Sequence, residues 1–458
     1  MQTGELGFWW RSLGGPPAPR PPLPGPADAD VAIVGAGYTG LWTAYYLKRA
    51  RPEMKIVVLE REIAGFGASG RNGGWVMGSF AGPARVYEKR GGRSAFVALQ
   101  RTMFETVDEI ERVIADEQID ADFVKGGQLD VALSPAQRLR VTGGVREARA
   151  HGLGEEDLQE LDVEQTNRRV RVAGALGASF WPHVGRVHPA KLLSGLAAAV
   201  ERLGVVIHER TPVTEIRPHE AVTPMGTVGA RWVVRATEGY TADLPGLKRA
   251  LVPMNSSMIV TEPLAPELWE EIGWQGSEVL GDAANVYVYL QRTADGRIAI
   301  GGRGVPYRFG SRTDGRGETA ASTVESLRTK LIEMFPAAAG APVDHAWSGV
   351  LGVPRDWCVS VNADPATGLA WGGGYVGEGV AATNLTARIL RDLILEQPSE
   401  LSSLPWVGRS PKRWEPEPLR WSMIHSVYGL YRRADRNELR SGRPSRLGHL
   451  VDIASGRH

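Results

Sequence analysis

The sequence predicts an α/β fold of two interleaved units. One is a parallel βαβ unit; the other is an α+β unit built on a mixed or antiparallel sheet. Three observations predict it. A short apolar run, Val31-Ala32-Ile33-Val34, leads through a glycine turn and a helix-forming stretch to a second apolar run, KIVVLE (55–60), the order of a βαβ unit. Similar material recurs mid-chain and near the end. The segments between alternate apolar with polar or aromatic residues, the period of half-buried strands. Elements of one kind separated by elements of the other describe interleaving, not two beads on a string.

Composition narrows the class. A chain of 458 residues holds two or three domains, or one large domain with an insertion. It is 43% hydrophobic and 23% charged, ordinary for a soluble protein. With 53 basic and 52 acidic residues, the net charge of +1 carries no footprint for nucleic acid or an anionic membrane. The single cysteine, Cys358, excludes an intrachain disulfide and a cysteine metal site, and places the chain in a reducing compartment, the cytoplasm. No apolar run reaches the length of a membrane span, and MQTGELGFWWRSLGG does not read as a signal peptide. No metal cluster is expected.

The elements follow in order. Residues 14–27, GGPPAPRPPLPGPA, read as an extended tail; the alternative is a tail that packs Phe8, Trp9 and Trp10 on the body. After strand 31–34 come a turn over 35–40, a helix over 41–49 and a strand over 55–60. Helices are expected over 93–118 and 135–150, with a strand at 127–133, GQLDVAL, between them. A helix follows GRVHPAK (185–191) and runs to Leu203. Strands follow at 205–209 and 229–236. Segments 256–262, 285–291 and 297–302 are β-rich. A strand at 368–374 precedes a helix from Gly379 to Leu395. In 419–433, Leu419, Met423, Ile424, Val427, Tyr428 and Tyr431 form one helical stripe for packing on the body or a partner.

Gly35-Ala36-Gly37-Tyr38-Thr39-Gly40 fits G-x-G-x-x-G. It follows a strand, opens a helix, and meets Glu60 twenty residues later, the context that makes the pattern specific for a dinucleotide. Gly35 permits the turn, Gly37 admits a pyrophosphate, and Gly40 lets helix and strand close up. The helix N-terminus supplies amide protons to phosphate. Glu60, an acid where a base would meet a 2′-phosphate, argues against NADP. A second glycine-rich stretch, GFGASGRNGG (65–74), then separates FAD from NAD. A longer cofactor needs a second side-chain-poor surface along its pyrophosphate, ribityl chain and flavin, where side chains would collide with it. In that stretch Arg71 is suited to neutralise charge, and Ser69 and Asn72 to hydrogen-bond.

With these two blocks the chain resembles the D-amino-acid-oxidase/glycine-oxidase superfamily of FAD-dependent oxidoreductases, in particular its gamma-glutamylputrescine-oxidase-like branch. The blocks 30–47, 65–74, 185–216 and 368–394 carry the resemblance, with weaker support from VVRATEGYT (233–241) and DGRIAIGG (295–302). It implies a Rossmann-like FAD-binding domain interleaved with a substrate domain, and non-covalent FAD held by Gly35, Gly37, Tyr38, Thr39, Gly40, Glu60, Arg61, Ser69, Gly70, Arg71, Asn72, Gly73, Gly74, Val213, Gly377, Gly379 and Val380. Val213 would face adenine; Gly377, Gly379 and Val380 would start a helix against the flavin pyrimidine. The expected segments are a lead-in 1–27; FAD-binding parts 28–84, 166–245 and 346–400; substrate parts 85–165 and 246–345; and a helical extension 401–458.

Amino-acid oxidases of this superfamily commonly carry an Arg two residues after W-x-G. Here Trp347-Ser348-Gly349-Val350-Leu351 puts Leu351 there, which favours an amine over a free α-amino acid; Arg355 is the nearby substitute. The pocket candidates are Tyr287, Tyr289, Gln291, Trp347, Leu351 and Tyr375, the first three sharing one strand face by alternation. Cys358, His183 and His188 read as structural. The expected chemistry is oxidation of the C–N bond of a small amine, with electrons passing to O₂ or another acceptor. The rivals are a dehydrogenase or tailoring enzyme on an amino acid or non-amine, and a non-catalytic nucleotide-binding regulator. Oligomeric state, catalytic base and the amine itself stay open.

Overall fold

The computed structural model describes residues 1–4, 6–313 and 315–456. Two large sheets organise them. The first holds a parallel core: Gly226–Arg235, Ala27–Val34, Ile56–Leu59 and Val206–His208 lie side by side, and Leu369–Gly373 adds in parallel to Gly226–Arg235. Its strands are apolar because both faces are covered. Val31 and Ile33 join the core with Trp42 and Tyr45 from one side; Ala32 and Val34 join Leu23, Val57 and Val233 on the other. Helices Tyr38–Ala50, Pro189–Arg202 and Gly379–Ile394 pack on the first face.

The second sheet has nine strands among the described residues. They run in the order Gln2–Thr3, Val343–Val353, Val252–Thr261, Ile298–Gly302, Tyr289–Arg292, Val279–Asp282, Gln128–Val131, Ala178–Trp181, Gln159–Leu161. Most pairs are antiparallel; Gln2–Thr3 with Val343–Val353, and Val279–Asp282 with Gln128–Val131, are parallel. A short ribbon, Trp75–Met77 with Val184–Arg186, bridges the sheets.

Several boundaries differ from expectation. Ala178–Trp181, expected with the nucleotide-binding part, pairs with Gln128–Val131 in the second sheet. Val343–Val353 crosses the expected division at 346, because its long antiparallel pairing with Val252–Thr261 continues to Val353. A helix not expected starts at Ala84 and breaks at Gly92, which takes φ 76°; the helix expected from 93 follows it and runs to Asp116. The strand expected over 285–291 runs only from Tyr289 to Arg292, so Tyr287 lies outside it, 39% exposed.

Both ends pack on the body. Residues 14–26 are extended and largely exposed, with Leu23 buried, and the alternative reading holds for the aromatics ahead of them: helix Phe8–Arg11 buries Trp9 and Trp10, each 1% exposed. Three consecutive large aromatics carry too much apolar surface to leave in water. At the other end, helix Leu419–Ser441 buries Ile424, Tyr428 and Tyr431 as the stripe predicts. Leu419 instead faces solvent, while Arg420 is buried against Glu417 and the Lys248 carbonyl.

Candidate active site at the meeting of two cavities

The first cavity, about 170 Å³, runs along the carboxyl ends of the parallel strands, where open α/β sheets bind ligands. The glycine turn forms its floor. Gly35 takes φ 106°, and a Cβ there would lie 2.7 Å from the Ala236 carbonyl oxygen. A Cβ on Gly40 would lie 2.0 Å from the Gly35 carbonyl oxygen, so only glycine lets this helix close on its strand. Gly37, at the N-cap of helix Tyr38–Ala50, has no side chain to cap it; apart from the Tyr38 N–H, which Ser69 Oγ takes, the first turn is left to a ligand anion. Helix Gly379–Ile394, likewise uncapped, starts at the same cavity. Thr39 Oγ1 and the Tyr375 hydroxyl, 3.1 Å apart, tie the two starts together.

Glu60 lines this cavity. Its carboxylate accepts from the backbone N–H of Ala36 (2.8 Å) and Glu62 (3.0 Å), and burial pushes its pKa up. Val213 lies on the lining nearby. Arg61 also reaches it, pairing with Asp243 at 3.0 Å above the Tyr240 ring.

The second loop explains its glycines differently from the sequence reading. Their missing side chains make room for the protein itself. A Cβ on Gly65 would strike Leu193 at 2.4 Å; on Gly70, the Trp10 indole nitrogen at 2.5 Å; on Gly73, the Tyr289 ring at 2.8 Å; on Gly74, Gln291 Nε2 at 2.1 Å. Ser69 Oγ accepts from the Tyr38 N–H at 2.9 Å, joining the two loops. From beneath, Trp9 Nε1 donates to the Asn72 carbonyl at 2.8 Å and Trp347 Nε1 to the Arg71 carbonyl at 2.9 Å. Gln291 donates to the Gly73 carbonyl at 2.6 Å. Trp347 and Gln291, expected in the pocket, are thus supports under the loop, outside the lining of both cavities. The Arg71 guanidinium turns to the carbonyls of Gly315 and Ser348 and stacks on Phe66, 4.6 Å from its centroid.

The second cavity, about 570 Å³, lies over the second sheet. Ala68, Asn72, Leu351, Gly377 and Val380 line both cavities, so the two meet there. Tyr289 lines the second, its hydroxyl 2.8 Å from Ser256 Oγ and its ring edge-on to Trp75. Tyr287 sits at its rim; Tyr375 lines only the first. Tyr428 of the C-terminal helix completes a wall, and Asp435 accepts from the backbone N–H groups of Asn285 and Val286, fixing the rim loop. Arg355 does not substitute for the missing arginine: it pairs with Glu415 at 3.0 Å, away from both linings.

Sequence reasoning missed three groups. Arg303 lines the second cavity, and its hydrogen bonds go to the carbonyls of Asn255 and Val376. Asp130 also lines it; the signal was a lone charge in the apolar run GQLDVAL. Glu238 lines the first cavity and accepts from the backbone N–H of Gly374 (3.0 Å) and Tyr375 (3.3 Å), with burial raising its pKa to about 7. Among the structural groups, His183 stacks on Phe104 and meets Asp157 at 3.2 Å, though it also lines the second cavity. His188 caps helix Pro189–Arg202. Cys358 is fully buried, its thiol pushed up to about 12 chiefly by burial, and lies in neither lining.

The model of the DAO family, FAD dependent oxidoreductase, matches residues 30–393. This chain belongs to that family. Within it, the chain is 32% identical to gamma-glutamylputrescine oxidoreductase of Escherichia coli K12 over 376 residues, covering 80% of this chain and 83% of that one. It is 30% identical to a probable oxidoreductase OrdL of Haemophilus influenzae, covering 83% and 86%. Among solved structures, glycine oxidase from Geobacillus kaustophilus aligns with TM-score 0.64 at 22% identity over 81% of this chain and 96% of that one. L-proline dehydrogenase from P. horikoshii aligns with 0.68 at 17%, over 83% and 98%. These structural likenesses give the fold. The protein is an FAD-dependent oxidoreductase, and the elongated double cavity with two helix N-termini suits a long dianionic cofactor. With its one thiol outside both linings, no cysteine is placed to tether the flavin. Among the described residues no helix is long and apolar enough to cross a membrane, and no group of three metal-ligating side chains occurs.

Proposed function

We propose that this enzyme oxidises a C–N bond of a small amine. The carrying observation is the meeting of the two cavities at Ala68, Asn72, Leu351, Gly377 and Val380. A flavin head lodged there is open to the second cavity, while the rest of the cofactor follows the first. In this reading Glu60 holds a ribose, Val213 flanks the adenine, and Gly35, Gly37, Thr39 and Gly40 carry the pyrophosphate. Ser69, Asn72 and the glycines of the second loop run beside the ribityl chain and flavin. Residues 28–84 with parts of 185–245 and 360–394 form the cofactor-binding unit, and the second sheet forms the substrate unit.

Bound FAD supplies the acceptor for a hydride and hands its electrons to O₂ or another acceptor. The chain's own residues orient and enclose. The N-terminus of helix Gly379–Ile394 stabilises negative charge at the junction. Leu351 leaves the wall there uncharged, which suits an amine bound in its neutral form. Tyr289 and Trp75 cover the substrate's apolar part, and Tyr428 helps exclude water. The substrate carbon gives up its hydride and leaves as an iminium, which water hydrolyses to a carbonyl compound and an amine or ammonia. The single buried Cys358 accords with work in a reducing cytoplasm.

Arg303 favours a second reading, in which the amine carries a carboxylate. One experiment tests both. The yellow protein is mixed without oxygen with polyamines, N-methyl amines and amino acids, and bleaching of the flavin is followed. Bleaching by amines lacking a carboxylate supports the first reading, and bleaching by amino acids alone supports the second. A flavin that no amine bleaches would overturn both.

A further inference from the structure

A row of residues crosses the second sheet in register. Met258 stands opposite Gly301, Gly301 opposite Tyr289, Tyr289 opposite Gly281, and Gly281 opposite Asp130. Directly paired residues in a sheet point to the same face. Met258 and Tyr289 lie against Gly73 of the cofactor loop: a Cβ on Gly73 would sit 2.8 Å from the Tyr289 ring and 3.8 Å from the Met258 methyl. Asp130 lies two strands further along, about 10 Å from Tyr289 by strand spacing. Gly281, between them, leaves the floor bare. A Cβ there would come within 2.9 Å of Asp130 Oδ1 and 3.6 Å of the Trp75 ring. A groove thus runs from beneath the cofactor loop to the Asp130 carboxylate, with Trp75 beside it.

Asp130 differs from Asp282, its buried neighbour in this cavity. Asp282 has Lys330 at 3.3 Å. Asp130 has only the neutral amide of Gln128, whose Nε2 lies 2.9 Å from each carboxylate oxygen. No cationic side chain among the described residues makes an ion pair with it. Desolvation, and then the charge of Asp282, raise its pKa to about 6. Its remaining exposed surface opens into the cavity, whose wall also carries Trp75, Trp181 and Tyr289. A secluded carboxylate with no resident cation is costly unless a ligand brings one. Aromatic faces add their own attraction for an ammonium group.

We propose that Asp130 anchors a second cationic group of the substrate, so that the enzyme takes amines with an ammonium group remote from the carbon that is oxidised. The proposal rests on the amine reading above, and its test separates the two. Cadaverine is compared with pentylamine, and putrescine with butylamine, in wild-type holoenzyme and in Asp130→Asn. Flavin bleaching without oxygen reports turnover; calorimetry of each amine with the oxidised holoenzyme reports binding, whatever the chemistry.

The wild type is expected to bind and oxidise each diamine at least about tenfold better than its monoamine. Asp130→Asn should abolish that preference, the diamine values falling at least about tenfold further than the monoamine values. Equal affinity of the wild type for diamine and monoamine overturns the proposal, as does a preference that survives in Asp130→Asn. Selective diamine binding without bleaching by any amine would uphold the cation site and overturn the amine-oxidation reading. The wild-type comparison stands even if the variant folds poorly.

Discussion

The two cavities are built in opposite ways. The first is lined mostly by short runs of chain, 34–39, 59–61, 65–72, 236–244 and 375–383, at the ends of the parallel strands and the helix starts that follow them. The second draws on residues from 68 to 428, contributed by strands, the bridging ribbon, the rim loop and the C-terminal helix. A cradle for a fixed cofactor depends on backbone path, which nearby glycines set. A substrate cavity depends on side chains that only the sheet brings together, so its parts can vary one by one. The N-terminal helix joins the two: it lies beneath the second loop, whose upper side lines both.

The sharpest break in this contrast comes from Gly40→Ala. Its Cβ would meet a backbone oxygen at 2.0 Å, which no rotamer relieves. The expected outcome is colourless or insoluble protein, measured by the ratio of flavin to protein absorbance. Trp9→Ala should come next. It empties a buried site and frees the Asn72 carbonyl, costing about 3–5 kcal/mol. Thermal unfolding should shift down and FAD titration should weaken. Trp9→Phe, which loses mainly the hydrogen bond, should cost about 1 kcal/mol. If neither change alters FAD affinity, the N-terminal segment is a bystander to the loop above it.

Tyr428→Ala sharpens the separation. It opens the second cavity without touching the first. KM for amines is expected to rise several-fold, up to about tenfold, the equivalent of 1.4 kcal/mol, with FAD affinity unchanged in the same titration. A parallel loss of FAD would mean that the cavities are not independent.

The smallest effect is on pH dependence. Burial raises the Glu238 carboxyl to about 7 in the folded chain, above its unfolded value. Between those two values the folded state holds the extra proton, so this group lowers stability as pH rises from about 4.5 to 7. Glu238→Gln keeps an acceptor for Gly374 N–H and removes the titration. In urea melts across that range, the variant should gain on the wild type as pH rises. A constant difference between them would show that Glu238 titrates normally.

Much of the first cavity was legible because its chemistry lies in local sequence. Gly35-Ala36-Gly37-Tyr38-Thr39-Gly40 followed by Glu60 specifies a turn, a helix start and a carboxylate through backbone sterics alone. Sequence also showed that 65–74 is poor in side chains, and that 419–431 carries an apolar stripe. The reason for the second loop's glycines lay elsewhere. Trp10, Tyr289 and Gln291 are distant in sequence, and only folding sets them against Gly70, Gly73 and Gly74. The same limit hid Asp130, Arg303 and Glu238 and misplaced Trp347 and Gln291. Alternation gives the face a side chain takes, but not which strand becomes its neighbour or what covers that face. The sequence alone therefore determined that a dinucleotide is bound and which turn opens the first cavity, since that turn is set by backbone within a few residues. The shape and charge of the space beyond the cofactor were decided by strand order in the second sheet and by the two chain ends that close around it, because long-range packing has no signature in any one stretch of chain.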